Sequence, residues 1–310
     1  MYDRFITNIQ TENLFVKGDK LLLGVSGGVD SVVLAALVDK LGNEFALAHC
    51  NFNLRDEDSD ADEAFVQKLA DSFGVKCYLS SFQTKDYANE KGVSIEMAAR
   101  ELRYDWFEKL RIAKNYDWIV VGHHLDDVLE TFLLNLSRGT GIRGLSGIKP
   151  KAGKVVRPML FVSRAEIEEF ANEHKLTWRF DESNNDIQIK RNKVRHKIMP
   201  LLEELNPSFK RNFKQTIHYL NETEMVFLQK INEVKAAVLT EENERVFISK
   251  SGLEALQPLT TFLFELLKPY RFNTEVVADI IQSLNGLSGT QFYSETHRLI
   301  IDRDDLIITP

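Results

Sequence analysis

The sequence predicts an α/β protein: a doubly wound, parallel, Rossmann-like sheet followed by a smaller, mostly helical C-terminal domain. Three observations carry this reading. Short apolar runs alternate with amphipathic stretches over roughly the first 140 residues, and a glycine turn, SGGVDS, joins the first run to the first amphipathic stretch. After Pro200 the alternation stops and long helical patterns take over. Apolar runs separated by helices belong to parallel sheets that are covered on both faces.

The runs are LLLGV (21–25), FALAHC (45–50), KCYLSSF (76–82) and WIVVGH (118–123). Between them, SVVLAALVDKLG and DEAFVQKLADSFG place apolar residues three and four apart and end in glycine, as helices do. A further helix is SIEMAARELRYDWFEKL (94–110), with Ser94 as N-cap and Glu96 in the first turn. Its apolar stripe is Ile95, Ala99, Leu102, Trp106 and Leu110. VVRPML (155–160) is expected as an edge strand, because Pro158 has no N–H for a ladder. Residues 208–236 and 251–285 read as helical, the second stretch broken at Pro258 and Pro269. The end, QFYSETHRLIIDRDDLIIT, reads as two strands around an Arg-Asp-Asp turn. The domain boundary is set near residue 208, giving domains 1–208 and 209–310.

A length of 310 residues favours two domains. No apolar run approaches the eighteen residues of a membrane span, and MYDRFITNIQ lacks the basic-then-apolar layout of a signal peptide. A cytoplasmic protein without a membrane partner is expected. Cys50 and Cys77 form no metal or redox spacing. The net charge of −7 argues against a chain coated with basic surface, while leaving room for local patches.

Four segments carry chemistry. In SGGVDS, Asp30 stands where a Walker loop has its lysine, so this is not a Walker loop. Gly27 and Gly28 make a tight turn before a helix starting near Asp30, where backbone N–H groups suit an anion and Ser26 and Ser31 add hydroxyls. An ordinary βα turn capped by Asp30 would look the same. In GHHLDDVLET (122–131), Asp126 and Asp127 lie four and three residues before Glu130, so a helix gathers the three carboxylates beside His123 and His124. Acids in a first turn also compensate a helix dipole. Arg100 and Arg103 lie off the apolar stripe and can act together, or stand solvated beside Glu96 and Glu101. From Lys190 to Lys214, eight Lys/Arg face only Glu203 and Glu204, a net of +6 that suits a phosphate backbone or a solvated face.

Together these segments resemble the N-type ATP pyrophosphatases, the PP-loop family, and within it the tRNA(Ile)-lysidine synthase family. The resemblance rests on SGGVDS, HCNFNLR (49–55) with its acidic follow-on, AARELRY (98–104), GHHLDDVLET, the glycine loop SRGTGIRGLSG, RPML and DESN…RNKVR, in order over residues 20–200. GLSGTQFYSETHRLIIDRDDLII (286–308) looks like the end of that family's first C-terminal domain. Phe52 departs from the pattern, since many members have a second histidine there. Many members also continue into a further C-terminal domain, so the chain reads as a short form or a truncated one.

The resemblance implies conversion of the wobble cytidine of an isoleucine tRNA with a CAU anticodon into lysidine, using ATP and free L-lysine. Ser26, Gly27, Gly28, Val29, Asp30 and Ser31 would cradle pyrophosphate, with Mg²⁺ near Asp30. Arg100 and Arg103 would stabilise substrate or phosphate charge. Asp126, Asp127 and Glu130 would orient the lysine ammonium, one of them taking its proton. Arg191, Asn192 and Arg195 would contact adenylate or RNA, with His123, Lys193 and Lys197 on the tRNA side. The resemblance also admits a homodimer. A related tRNA 2-thiolating enzyme would need catalytic cysteines or an iron–sulfur cluster. A non-catalytic tRNA-binding module would have no use for the three acids.

Overall fold

Leu21, Leu22 and Leu23 are all fully buried, and alternation along the strand sends Leu22 to one face of a sheet and its neighbours to the other. A strand buried on both faces must be central, and this one is. The structure, a computed structural model, describes residues 1–54, 57–180 and 190–310, without the side chains of Glu57 and Asp58. Arg55 of HCNFNLR, part of its acidic follow-on and the DESN segment fall outside the described residues. The chain divides into two compact units, Met1–His218 and Tyr219–Pro310.

The first unit carries strands β1 (Leu21–Gly24), β2 (Phe45–Asn51), β3 (Lys76–Ser81), β4 (Trp118–Val121), β5 (Lys151–Ala152) and β6 (Val155–Val156). Their order is β3-β2-β1-β4-β6-β5, parallel throughout except that β5 runs against β6. Leu21 pairs with Phe45 on one side and with Trp118 on the other. The helices are α1 (Tyr2–Thr11), α2 (Val29–Leu41), α3 (Glu57–Phe73), α4 (Thr84–Lys91), α5 (Ile95–Ala113), α6 (Leu125–Arg138), α7 (Ile142–Leu145), α8 (Arg164–Glu173), α9 (Lys190–Lys193) and α10 (Met199–Leu205). A π-helical turn, Val194–Ile198, joins α9 to α10. One face of the sheet packs Leu21, Leu23, Val33, Leu37 and Ile167 together, and the other packs Leu22, Ala46, Ala48, Phe107 and Ile119. Burying each such large side chain contributes roughly 1.5–3 kcal/mol.

Two sequence expectations change here. The strand in VVRPML is only Val155–Val156, and it lies inside the sheet because β5 takes the edge. Arg157 donates its N–H to the Pro150 carbonyl, and Pro158, with no N–H to give, falls beyond the ladder. In α5, Ser94 caps the helix as expected, accepting from Met97 N at 3.2 Å. Ala99 of the predicted stripe is buried, together with Ala98 and Phe107, which the stripe did not include, while Ile95 at the stripe's start is exposed. Trp106 and Leu110 of the predicted stripe pack with Phe107 against the sheet face that holds Leu22 and Ile119, so the stripe holds except at its start.

Helix α11 (Phe209–Val238) contains the division between the units. The second unit adds β7 (Leu239–Glu242), β8 (Arg245–Ser249), β9 (Gln291–Tyr293), β10 (Arg298–Ile301) and β11 (Asp305–Thr309), with α12 (Lys250–Glu254), α13 (Leu259–Leu267) and α14 (Thr274–Ser283). Its helices are joined by a small antiparallel sheet of order β7-β8-β11-β10-β9. The two predicted end strands are β10 and β11, and the sequence reading missed the other three. β7 is largely exposed and acidic, so it shows no apolar alternation. Its turn is legible in retrospect, since Asn243 and Glu244 both take positive φ, as a tight hairpin requires.

Candidate active site

Strands β1, β2 and β4 end side by side, and the segments that leave these ends build the site. After β1 the chain turns through Gly27, whose φ of +92° is costly for any residue with a Cβ. Gly28 has an ordinary φ of −73°, so only one of the paired glycines is demanded by backbone strain. The Ser31 hydroxyl donates to the Gly28 carbonyl at 2.9 Å and accepts from Gly27 N at 3.2 Å. Ser31 is thus buried and braces the turn, whereas Ser26 is exposed. Gly122, after β4, matters through proximity: a Cβ there would lie 3.1 Å from the Asp30 carbonyl oxygen.

Asp30 opens α2 beside the acidic start of α6. Its Oδ2 accepts from Arg164 Nη1 at 2.6 Å, and its Oδ1 stands 3.6 Å from His124 Nε2. Burial pushes the Asp30 carboxyl above the usual carboxylate range, against the pull of His124 and Arg164. His124 is nearly fully buried among acids, 3.6 Å from Asp127 and 3.8 Å from Asp126. Asp127 accepts the His124 backbone N–H at 3.0 Å. Burial works against the charge of Asp127, yet His124 and His123 hold its carboxyl below the usual range. His123 is pushed down by burial to about 4, so it is neutral at neutral pH.

The other two acids of the motif are engaged by cations. Asp126 takes Lys210 Nζ on Oδ1 and the Arg164 backbone N–H on Oδ2, both at 2.8 Å. Burial opposes ionisation of Asp126 too, but the Lys210 and Arg164 hydrogen bonds bring its carboxyl below the usual range. Glu130, with a side chain only 1% exposed, takes Arg195 Nε on Oε1 at 2.7 Å. Arg191 Nε stands 3.3 Å from its Oε2 without hydrogen-bond alignment. Burial raises the Glu130 carboxyl despite these arginines.

Two cavities open on this cluster. One, of about 200 Å³, is lined by Ser26, Asp30, His49, Phe52, Arg103 and His123 among others. The other, of about 390 Å³, brings Ser26, Gly28, Val29 and Asp30 together with Asp127, Arg103, Arg164, Arg191, Asn192 and Arg195. Most predicted site residues therefore converge. Asp126 and Glu130 line neither cavity. Arg100 is exposed, 5.0 Å over the Tyr104 ring, so it does not share Arg103's place at the cavities. Lys193 and Lys197 are exposed on the outer side of the segment whose Arg191 and Arg195 point inward.

Sequence reasoning missed Arg164, and it counted Lys210 only as patch charge. Arg164 sits in an unremarkable helix start, SRAEIEEF, 134 residues from the aspartate it meets, and no local pattern marks it. It also missed Arg179, which donates its N–H to the Gly27 carbonyl at 3.0 Å and its Nε to Asp62. Burial pushes the Cys50 thiol up to about 12 and the Cys77 thiol up to about 11, which makes both poor nucleophiles.

The family model of the PP-loop domain matches residues 1–202, and that of the TilS substrate binding domain matches residues 241–310. A tRNA(Ile)-lysidine synthase of Bacteroides thetaiotaomicron is 42% identical over 98% of this chain and 71% of its own length. One from Porphyromonas gingivalis is 43% identical over 99% of this chain and 67% of its own. Among solved structures, the U34-tRNA thiolase NcsA of Methanococcus maripaludis superposes with a TM-score of 0.55, covering 71% of this chain and 78% of that one. At 20% identity that likeness speaks for the fold alone. With a glycine turn that lacks the Walker lysine, an acid helix beside it and relatives matching over nearly the full chain, the protein belongs to the tRNA(Ile)-lysidine synthase family.

Proposed function

We propose that the chain ligates free L-lysine to the 2-position of the wobble cytidine of an isoleucine tRNA with a CAU anticodon, in the cytoplasm. The cytidine 2-carbonyl oxygen attacks the α-phosphorus of ATP and pyrophosphate leaves. The lysine ε-amine then attacks C2 and AMP leaves, giving lysidine. The observation that carries this reading is the 390 Å³ cavity, where the glycine turn, Asp127 and the Arg191–Arg195 segment face one another. A phosphate-binding turn, a seat for an ammonium and cations for an anionic intermediate are the three things this reaction needs.

In this reading Ser26 and the start of α2 take the pyrophosphate. Asp127 receives the lysine ammonium, with Asp126 and Glu130 holding the cations around it. A lysine amine has a pKa of ~10.4, so presenting it neutral near pH 7.4 costs roughly 4 kcal/mol, and Asp127 is the carboxylate best placed to offset this. Arg103, Arg191, Asn192 and Arg195 meet the phosphoryl group and RNA, His123 borders the nucleotide, and Arg100, Lys193 and Lys197 lie on the tRNA side. Residues 1–208 are the catalytic domain and 209–310 the tRNA-contacting one, with a homodimer as the working assembly.

Mg²⁺ is proposed at Asp30. The Oδ1 of Asp30 is buried with no hydrogen-bond partner, which suits a cation. Among the described residues no cluster of three His, Cys, Asp or Glu side chains forms a metal cage. None is needed, because Mg²⁺ is commonly held through one or two carboxylates plus phosphate oxygens and water. When bound, it would neutralise charge on the departing pyrophosphate.

The test is to incubate the protein with ATP, labelled lysine and total tRNA. The expected result is label in an isoleucine tRNA, dependent on ATP, with AMP as the nucleotide product. AMP formation without lysine incorporation would sink the lysine half of the proposal.

A further inference from the structure

Phe52 stands where the family pattern has a histidine, and the proposed reaction gives it no task. Its ring stacks on Phe82, with centroids 5.9 Å apart and planes 24° from parallel. Phe82 in turn meets Trp106 of α5 edge-on at 6.3 Å. The guanidinium carbon of Arg103, also on α5, lies 5.1 Å over the Phe52 ring.

Arg103 differs from the other arginines of the site. Arg164, Arg191 and Arg195 each stand against a carboxylate, which uses part of their charge locally. Among the described residues Arg103 forms no ion pair, and it lines both the 200 Å³ and the 390 Å³ cavities, as Ser26 and Asp30 do. An aromatic face can orient a guanidinium while leaving its charge and its N–H donors available to a ligand. A carboxylate in the same place would orient it and neutralise it together.

We propose that Phe52 is a positioning residue: its ring, backed by Phe82, holds the Arg103 guanidinium at the junction of the two cavities, open to the α-phosphate of the adenylyl group that is transferred there. The inference rests on the reaction proposed above. It predicts an effect on the transfer step and not on nucleotide binding, because the ring acts through Arg103 and not on ATP.

The test compares Phe52→Leu, which removes the ring, with Phe52→Tyr, which keeps it. In tRNA-dependent AMP-adduct formation, Phe52→Leu should lower kcat by ~3- to 30-fold, the range a cation–π contact can supply. The KM for ATP should stay within about two-fold, and Phe52→Tyr should recover most of the rate. On an Arg103→Lys background, Phe52→Leu should add little further loss, since the two side chains act as one unit. A raised ATP KM with kcat retained would make the ring a wall of the nucleotide cavity and overturn the proposal. So would additive losses, or a tyrosine variant as slow as the leucine one. A wild-type chain that forms no tRNA adduct breaks the functional reading instead. The Arg103 Nε–H proton resonance then decides the Phe52 assignment: ring current should move it upfield in wild type and not in Phe52→Leu, and equal positions in both would refute it.

Discussion

The two units bury polar groups very differently. Of the buried polar and charged residues among those described, only Glu224 lies in the second unit. The first unit buries Ser31, His49, His124, Glu130 and Asn192 around the strand ends, besides others elsewhere. Among the described residues, buried side-chain atoms without a hydrogen-bond partner concentrate in the first unit, where Asp30 Oδ1, His123 Nδ1, His124 Nδ1 and Glu130 Oε2 belong to the candidate site and Arg157 Nε lies outside it, whereas the second unit has Thr309 Oγ1. Leaving such an atom unpaired costs about 1–3 kcal/mol. The second unit's core of Leu253, Leu263, Val277, Ile280, Leu299 and Leu306 is apolar, as a core built for stability should be. Concentrated polar burial, and not burial itself, distinguishes the unit that holds the candidate site.

The contrast can be broken most directly in the dry core. Leu299, fully buried on β10, should cost ~2–5 kcal/mol of stability when replaced by alanine. ATP binding by the folded variant, measured by calorimetry without tRNA, should be unchanged. Weakened ATP binding would show that the second unit's packing also serves the nucleotide site.

A smaller loss is expected from the polar cluster, and it should depend on pH. Asp126→Asn removes the charge that Lys210 and Arg164 N hold, which should cost roughly 1–3 kcal/mol near pH 7. The folded carboxyl is depressed, so its contribution is present above the unfolded value of about 3.9 and is lost as pH falls through the folded value. Denaturant melts of wild type and variant should therefore differ at pH 7 and draw together progressively as the pH falls below about 4. A difference that persists in acid would assign Asp126 a packing role instead.

The smallest effect lies on the surface. Replacing Lys193 and Lys197 together by alanine should weaken tRNA binding by up to ~10-fold at low salt and reduce the salt slope by roughly 1–2. Stability should hardly move, because both side chains are exposed. A salt slope equal to that of wild type would return these lysines to solvated surface and leave the inward arginines as the RNA contacts.

Local periodicity by itself determined much of this protein. The strands of the parallel sheet, the glycine turn, the cap at Ser94 and the spacing of Asp126, Asp127 and Glu130 along one helix all depend on neighbours within a turn or two. That is the range over which a sequence pattern acts directly. The β7–β8 hairpin and the interior position of β6 were not legible, because an acidic, exposed strand and a two-residue strand carry too little pattern. Tertiary structure alone decided what each charge does. Arg195 meets Glu130 across 65 residues and Arg164 meets Asp30 across 134, so the chain's path, and not its local composition, decides which carboxylate each cation holds. The same path puts Phe52 beneath Arg103, two residues that look unrelated in the sequence. Local sequence specifies which groups are present and on which element, whereas the partner that tunes each charge comes from distant chain brought close by packing.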